Sequence, residues 1–397
     1  MKIEATIKHN IAIHAHPIGC REYIRDGIEE ISALPPVVDR PLEVLIIGGS
    51  SGYGLSSRIV MGCSGAYTLN VSFEKAPRGK STGTAGFYNN FYYKQFMEQR
   101  GVESDDLNGD CFSTQMKEQV IDLLQKKGKK IDLLIYSVAA GSRTDPATGI
   151  RYNSALKPIG RSFSGYTADI ASESLVEKTL EPASEEEIAH TIKVMGGEDY
   201  LLWVQALEEA DLWNQEARSI TYTYIGTDYT DVIYKNGTIG QAKRHLEQCN
   251  DSVNDILKRH HGKVFISSSK SVVTKASVFI PAVTLYAGAL FRVMRAEGTH
   301  ESIFEHKYRL FRDMVFGDNP VWDEKGFLRL DAREIRSETQ EKVVAILNEV
   351  NAENFRELTD FAEFKKEFLL LNGFGHERVD YEADVDMSIY TDTETPG

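Results

Sequence analysis

The sequence predicts an α/β protein built on a doubly wound parallel sheet. Three observations carry that expectation. Residues 43–47 (EVLII) form a short apolar run that ends in glycines, and residues 132–138 (DLLIYSV) form another. Apolar runs of this length without polar alternation are what strands buried on both faces require. Between and after them, strand-like and helix-like stretches alternate, because each parallel crossover has to carry the chain back to the same end of the sheet.

Taken in order, a helix is expected from about Leu55, then a second strand at 68–73 (TLNVSF) ending at Glu74. A helical stretch near 88–100 leads to an irregular third strand before Gly109-Asp110. Residues 114–128 read as a helix closed by Lys127 and Gly128, a cation and a residue that tolerates the left-handed conformation. The run at 132–138 is the fourth strand. Residues 140–185 break the alternation: they are rich in Gly, Ser, Thr and Pro and have no period, so they read as a functional loop or small insertion rather than core. A helix at about 186–210, a strand at 219–225 (SITYTYI), a helix after Thr238, a strand at 263–269 and an apolar helix at 282–295 follow. From 300 onward the chain reads as mixed helices, with a disordered polar end, TDTETPG. The expected organisation is a single decorated domain over 1–397. It carries an extra N-terminal segment, an insertion at 140–215 around the substrate site and a helical extension at 300–390.

Composition narrows the function. With 45 basic and 59 acidic residues the net charge is −14, which argues against nucleic acid or an anionic membrane as the main partner. No run of about 18 apolar residues is present, and the N-terminus, MKIEATIKHN, lacks an apolar signal region. A cytoplasmic protein is expected. Cys20, Cys63, Cys111 and Cys249 form no CxxC pair and are expected to be free thiols. His14, His16 and Cys20 lie close together in HAHPIGC, but no compact second ligand cluster accompanies them, so no metal site is expected.

The segment Gly48-Gly49-Ser50-Ser51-Gly52-Tyr53-Gly54 stands directly between a strand and a helix. Its glycines let the backbone approach a ligand, and the helix start offers free N–H groups and a partial positive charge to a pyrophosphate. The spacing is GxxxGxG rather than GxGxxG, the short-chain-reductase variant, so the sheet is expected to be of Rossmann type and reductase-like. The bland alternative is a structural turn. Glu74 at the end of the second strand can accept from both ribose hydroxyls and would repel a 2′-phosphate, which points to NADH rather than NADPH. Asp110, with the Cys111 backbone beside it, can hydrogen-bond the adenine amino group, or it can simply cap a turn. Val138 and Ala139 are small enough for a ribose to lie against the backbone, or they are ordinary strand packing.

Tyr234 and Lys243 stand eight residues apart in YKNGTIGQAK. Nine steps of about 100° place them on opposite faces of a continuous helix. Asn236-Gly237 is a strong turn signal, however, and Thr238 a good N-cap, so a loop can fold the phenol back toward a lysine in the following helix. Lys243 can bind nicotinamide ribose hydroxyls and favour phenolate-like character in Tyr234, or it belongs to a solvated helix face. Tyr224, at the carboxyl end of its strand, is a second phenol placed where open α/β sheets hold ligands, and core packing is its alternative. Val272-Val273-Thr274 can bind a nicotinamide carboxamide or start a helix. The apolar stretch 278–291 can wall an acyl chain, with core packing as its alternative.

These segments resemble the trans-2-enoyl-CoA reductases, including the FabV-type enoyl-acyl-carrier-protein reductases. The resemblance runs over almost the whole chain, through AHPIGC, GGSSGYGL, FYNN, GDCFS, SALKPIG, VMGGED, YIG, the Tyr-x8-Lys stretch, VVT and LTDF. It implies a monomeric enzyme that reduces enoyl-CoA or enoyl-acyl-carrier-protein with NADH. Hydride goes to the β-carbon and a tyrosine assists protonation of the enolate. It also implies Tyr234 as proton donor and Tyr224 as substrate contact. NAD contacts are implied at Gly48 through Tyr53, Phe73, Glu74, Asp110, Cys111, Val138, Ala139, Lys243, Val272, Val273 and Thr274. The chain departs from the pattern at Ser137-Val138-Ala139-Ala140-Gly141, where the family usually reads SLAS-P; adjusted substrate shape is the expected consequence. Two alternatives remain: a ketoacyl or other carbonyl reductase, disfavoured by the absent Tyr-x3-Lys spacing, and a non-catalytic dinucleotide sensor.

Overall fold

The computed structural model describes residues 1–390 except 80, 276 and 281. The tail read as disordered lies outside the described residues. Seven strands form one parallel sheet: β1 (Glu43–Ile47), β2 (Tyr67–Ser72), β3 (Ser104–Asn108), β4 (Ile131–Tyr136), β5 (Trp213–Thr223), β6 (Lys263–Ser268) and β7 (Leu328–Arg329). Their spatial order is β7-β6-β5-β4-β1-β2-β3, so the winding reverses between β1 and β4. That reversal opens a crevice at the carboxyl ends of the two strands, where ligands of such sheets sit.

The continuous apolar runs arise because both faces of the sheet are covered. Val44, Ile46, Leu133 and Ile135 pack on one face with α1 (Pro17–Ser32), α2 (Gly52–Cys63), α3 (Ala85–Gln99) and α9 (Ile303–Arg309). Leu45, Ile47, Leu134 and Tyr136 pack on the other with α4 (Thr114–Lys127), α6 (Glu198–Glu209) and α7 (Thr238–Lys258). Buried Arg58 of α2 makes a bidentate bond to Asp106 of β3 at 2.8 and 3.0 Å and lies 4.0 Å from the Tyr93 ring of α3, pinning three elements together. No described helix is long and apolar enough to cross a membrane.

Several expectations need correction. The helix expected at 186–210 is two, α5 (Glu185–Met195) and α6, separated by Gly196-Gly197. Residues 140–185 form antiparallel pairs, Ser142–Thr144 with Arg151–Asn153 and Phe163–Asp169 with Ser174–Leu180. They are not merely peripheral, since Ala168 and Ile170 are fully buried against α8 (Val283–Ala296) and its surroundings. Strand β5 ends at Thr223, which leaves Tyr224 in the loop beyond it. The cap of α7 is Gly237, and Thr238 is the first helical residue. Thr238 is occupied elsewhere: its N–H donates to Lys157 O at 3.0 Å and its hydroxyl to Ala155 O. The region after 300 is more than a helical extension, because it supplies β7. His16 caps α1 by accepting from the Gly19 N–H at 3.2 Å, and burial pushes its pKa down to about 4. No metal-ligand cluster occurs among the described residues.

Candidate active site

The glycine segment forms the floor of the crevice. Gly48 adopts φ +92°, and a Cβ there would lie 2.3 Å from the Ser137 carbonyl oxygen at the end of β4. A Cβ on Gly54 would lie 2.0 Å from the Gly48 carbonyl oxygen. Neither position has room for a side chain, so bare backbone faces the crevice. Ser51, the N-cap of α2, makes no side-chain cap bond, which leaves N–H groups of the first turn open to an anion. Thr274 closes the other side, its methyl 3.4 Å from where a Gly52 Cβ would stand. Val272 and Val273 are buried behind it. This bare-backbone cradle fits a dinucleotide pyrophosphate.

At the β2 end, Glu74 follows the strand and lies against Gly86 of α3. Its Oε1 accepts from the Ser50 hydroxyl at 2.6 Å, and its Oε2 accepts from the Thr84 hydroxyl. Asn108 clamps the Glu74 backbone, accepting from its N–H at 2.7 Å and donating to its carbonyl at 2.9 Å. The carboxylate is thus held beside the glycine segment. Phe73 is 78% exposed, a bare aromatic face next to it. Asp110 Oδ1 accepts from the Phe112 N–H at 3.0 Å, so one carboxylate oxygen serves a turn that leads into Ser113, the N-cap of α4. The Cys111 carbonyl is taken by the Lys117 ammonium and the Trp203 indole, both at 3.1 Å. Val138 is half-buried and Ala139 exposed just past β4.

At the β5 end, the structure brings the two tyrosines together. The Tyr224 and Tyr234 rings meet edge to face with centroids 4.7 Å apart. Tyr234 is held by a bond from its N–H to Thr230 O at 3.0 Å, and its hydroxyl accepts no bond from Lys243 among the described bonds. The Lys243 ammonium instead donates to the Tyr222 carbonyl at 2.9 Å, and burial lowers its pKa to about 8. The charge acting on Tyr234 is Glu334: burial first, then this acid, push the phenol's pKa up. Phenolate character induced by Lys243 therefore finds no support in this geometry. Tyr222 belongs to the core, sharing a 2.6 Å bond with the Ser57 hydroxyl.

Sequence reasoning missed the group that organises this end. Glu334, fully buried, accepts from the Tyr224 hydroxyl at 3.0 Å, the Tyr286 hydroxyl at 2.8 Å and the Ser271 N–H at 2.6 Å. The loop 269–271, which leads into Val272-Val273-Thr274, is gripped from three further sides. His306 Nε2 accepts from the Lys270 N–H at 3.2 Å, Lys307 donates to the Ser269 hydroxyl at 2.7 Å, and Tyr53 donates to Lys270 O at 2.7 Å. The Lys307 ammonium also lies 4.0 and 3.8 Å from the Tyr53 and Tyr222 rings. No local signal announces Glu334, which stands among other charged residues in LDAREIRSE.

Comparison with known proteins places this arrangement. Residues 81–316 match the family described as the trans-2-enoyl-CoA reductase catalytic region, and residues 2–79 its NAD(P)H binding domain. The chain belongs to the trans-2-enoyl-CoA reductase family. It is 42% identical over 396 residues to the enoyl-[acyl-carrier-protein] reductase [NADH] of Saccharophagus degradans, covering 99% of this chain and 100% of that protein. The like-named Pseudoalteromonas atlantica protein is 43% identical, with 97% and 98% covered. The Clostridium acetobutulicum trans-2-enoyl-CoA reductase, solved in complex with NADH, superposes with TM-score 0.96 at 38% identity, covering 99% and 100%. The Treponema denticola enzyme, solved with NAD, gives 0.92 at 39% identity, covering 97% and 98%.

Residues 322–385 match a region described as an enoyl reductase FAD binding domain. The residues present do not fit a second dinucleotide. The segment's described strand, β7, has two residues and leads into a 3-10 turn, not a glycine segment and helix N-terminus. Its acids Asp331 and Glu334 face inward, bound to Ser268 and Ser271. The three matched regions supply strands to one sheet: β1 and β2 come from the first, β3 to β6 from the second and β7 from the third.

Proposed function

We propose that the chain reduces the trans-2 double bond of enoyl thioesters with NADH, giving the saturated acyl thioester. The observation that carries this reading is the pairing of Tyr224 and Tyr234 at 4.7 Å beside the bare-backbone cradle, with both phenols kept protonated by burial and by Glu334. NADH, when bound, supplies the hydride that reaches the β-carbon. The glycine segment and the start of α2 bind the pyrophosphate, Glu74 accepts from the adenosine ribose, and Lys243 donates to the nicotinamide ribose. Phe73, Asp110, Cys111, Val138 and Ala139 line the adenosine path, and Val272, Val273 and Thr274 the nicotinamide end. As charge develops on the thioester oxygen, Tyr224 donates a hydrogen bond to it and Tyr234 delivers the proton. A neutral phenol suits this role because it keeps its proton until the enolate forms.

The substrate is an enoyl-CoA or enoyl-acyl-carrier-protein, and the enzyme works as a cytoplasmic monomer folded as a single domain. Oxidation of NADH followed with crotonyl-CoA and then with a ketoacyl thioester separates the alternatives. Turnover of crotonyl-CoA alone supports the proposal. Turnover of the ketoacyl substrate alone would identify a carbonyl reductase, and NADH binding without turnover of either would identify a sensor.

A further inference from the structure

Glu334 follows β7 and the single 3-10 turn Leu330–Arg333, and its three donors come from the loop after β5, the loop after β6 and α8. One carboxyl group thereby ties together three segments around the site. A phenol has a single proton to donate. While Tyr224 gives that proton to Glu334 Oε1, it has none to offer a thioester oxygen.

We infer that Glu334 is a positioning residue for the reduction, which decides by its bond to Tyr224 whether that phenol's proton is available to the substrate. The inference rests on the enoyl-reductase reading above. With the carboxyl group neutral, Oε2 still accepts from Ser271 while an O–H on Oε1 points at the Tyr224 oxygen and frees the phenolic proton. Glu334 keeps its own proton through turnover; the proton added to the α-carbon comes from Tyr234 and is replaced from solvent. Both states lie within reach, because burial raises the Glu334 pKa to about 7 against the pull of its hydrogen-bond donors. The charged and titratable groups around it are Asp331 on its own segment, Lys270 on the loop after β6, Tyr286 on α8, Tyr224 and Tyr234 after β5, and Tyr53 on α2. Asp331 raises its pKa, while Lys270 favours the anion.

The test is the pH profile of kcat at saturating NADH and crotonyl-CoA for the wild type, Glu334→Gln and Tyr224→Phe, with NADH affinity measured by fluorescence. The wild type should lose activity as pH rises through the carboxyl midpoint, approaching about tenfold per unit. The amide of Glu334→Gln keeps its oxygen toward the Ser271 N–H and donates permanently to the phenols. Its kcat should fall several-fold at pH 6 and then stay level to pH 9. Tyr224→Phe should be slow and equally level. NADH affinity should be the same in all three, which a merely structural defect would not allow. A limb that survives in Glu334→Gln, or in Tyr224→Phe, overturns the inference, as does a level wild-type profile. If Glu334→Gln does not fold, Tyr224→Phe alone decides. Absence of any wild-type turnover is a different result: it sinks the enoyl-reductase reading, and this inference with it.

Discussion

Replacing Glu74 with Gln isolates the charge proposed to select the cofactor. The substitution keeps the shape of the side chain. Both carboxylate oxygens accept from hydroxyls, those of Ser50 and Thr84. A hydroxyl can turn to accept from an amide N–H instead, so the local structure survives at small cost. What changes is the interaction with a 2′-phosphate placed beside the ribose. Unit charges about 4 Å apart interact by about 1 kcal/mol in water and about 4 kcal/mol at an effective dielectric of about 20. Glu74 is half-buried, which puts it between those limits and nearer the first. With a phosphate of about −1.5 to −2, the repulsion comes to about 2–3 kcal/mol, or about 30- to 150-fold in relative affinity. The assay is kcat/KM for NADH and for NADPH with crotonyl-CoA. The preference for NADH should shrink by one to two orders of magnitude in Glu74→Gln, through a lower KM for NADPH. A change in the ratio of less than about threefold would refute the electrostatic account.

Three further outcomes are expected. Tyr234→Phe removes the proposed proton donor and should lower kcat by about 10²- to 10⁴-fold with NADH affinity intact; near-normal kcat would assign the proton to Tyr224 or to water. NADH affinity, measured by fluorescence titration, should weaken as pH rises through about 8, because burial has lowered the Lys243 pKa to that value and the ammonium is lost above it. Lys243→Met should bind more weakly at pH 7 and show no such dependence. Lys117→Met leaves the buried Asp199 carboxylate without its 2.8 Å ammonium partner; the Tyr136 hydroxyl at 2.9 Å and the more distant charge of Arg143 remain among the described residues. Denaturant unfolding should show a loss of about 3–5 kcal/mol.

The cradle was legible from residues 43–54 alone. A buried run, a glycine segment and a helix start are all set by neighbours in the chain; the structure places the strand on the expected residues and starts the helix at Gly52, three residues before the expected Leu55. The end of α4 was legible because its signal is local: Gly128 closes the helix in the left-handed conformation, as expected. Thr238 misled because its hydroxyl and N–H are claimed by residues 155 and 157, which nothing near it in sequence announces. The insertion misled for a similar reason: its alternation is too weak to show a core face until α8 packs against it.

The Tyr-x8-Lys spacing pointed to this end of the sheet as the candidate site, since a turn after Tyr234 and a helix holding Lys243 are local properties. What those side chains face is not local. Glu334 stands 110 residues from Tyr224 and 63 from Ser271, and it meets both because β7 joins the far edge of the sheet and its turn points an acid back into the core. By itself, then, the sequence determined the family, the sheet and the nucleotide cradle, through patterns that span a few residues. Only the tertiary structure decided that a carboxyl group, rather than Lys243, is the charge against the two phenols. Burial and long-range hydrogen bonds arise between segments that are distant in the chain.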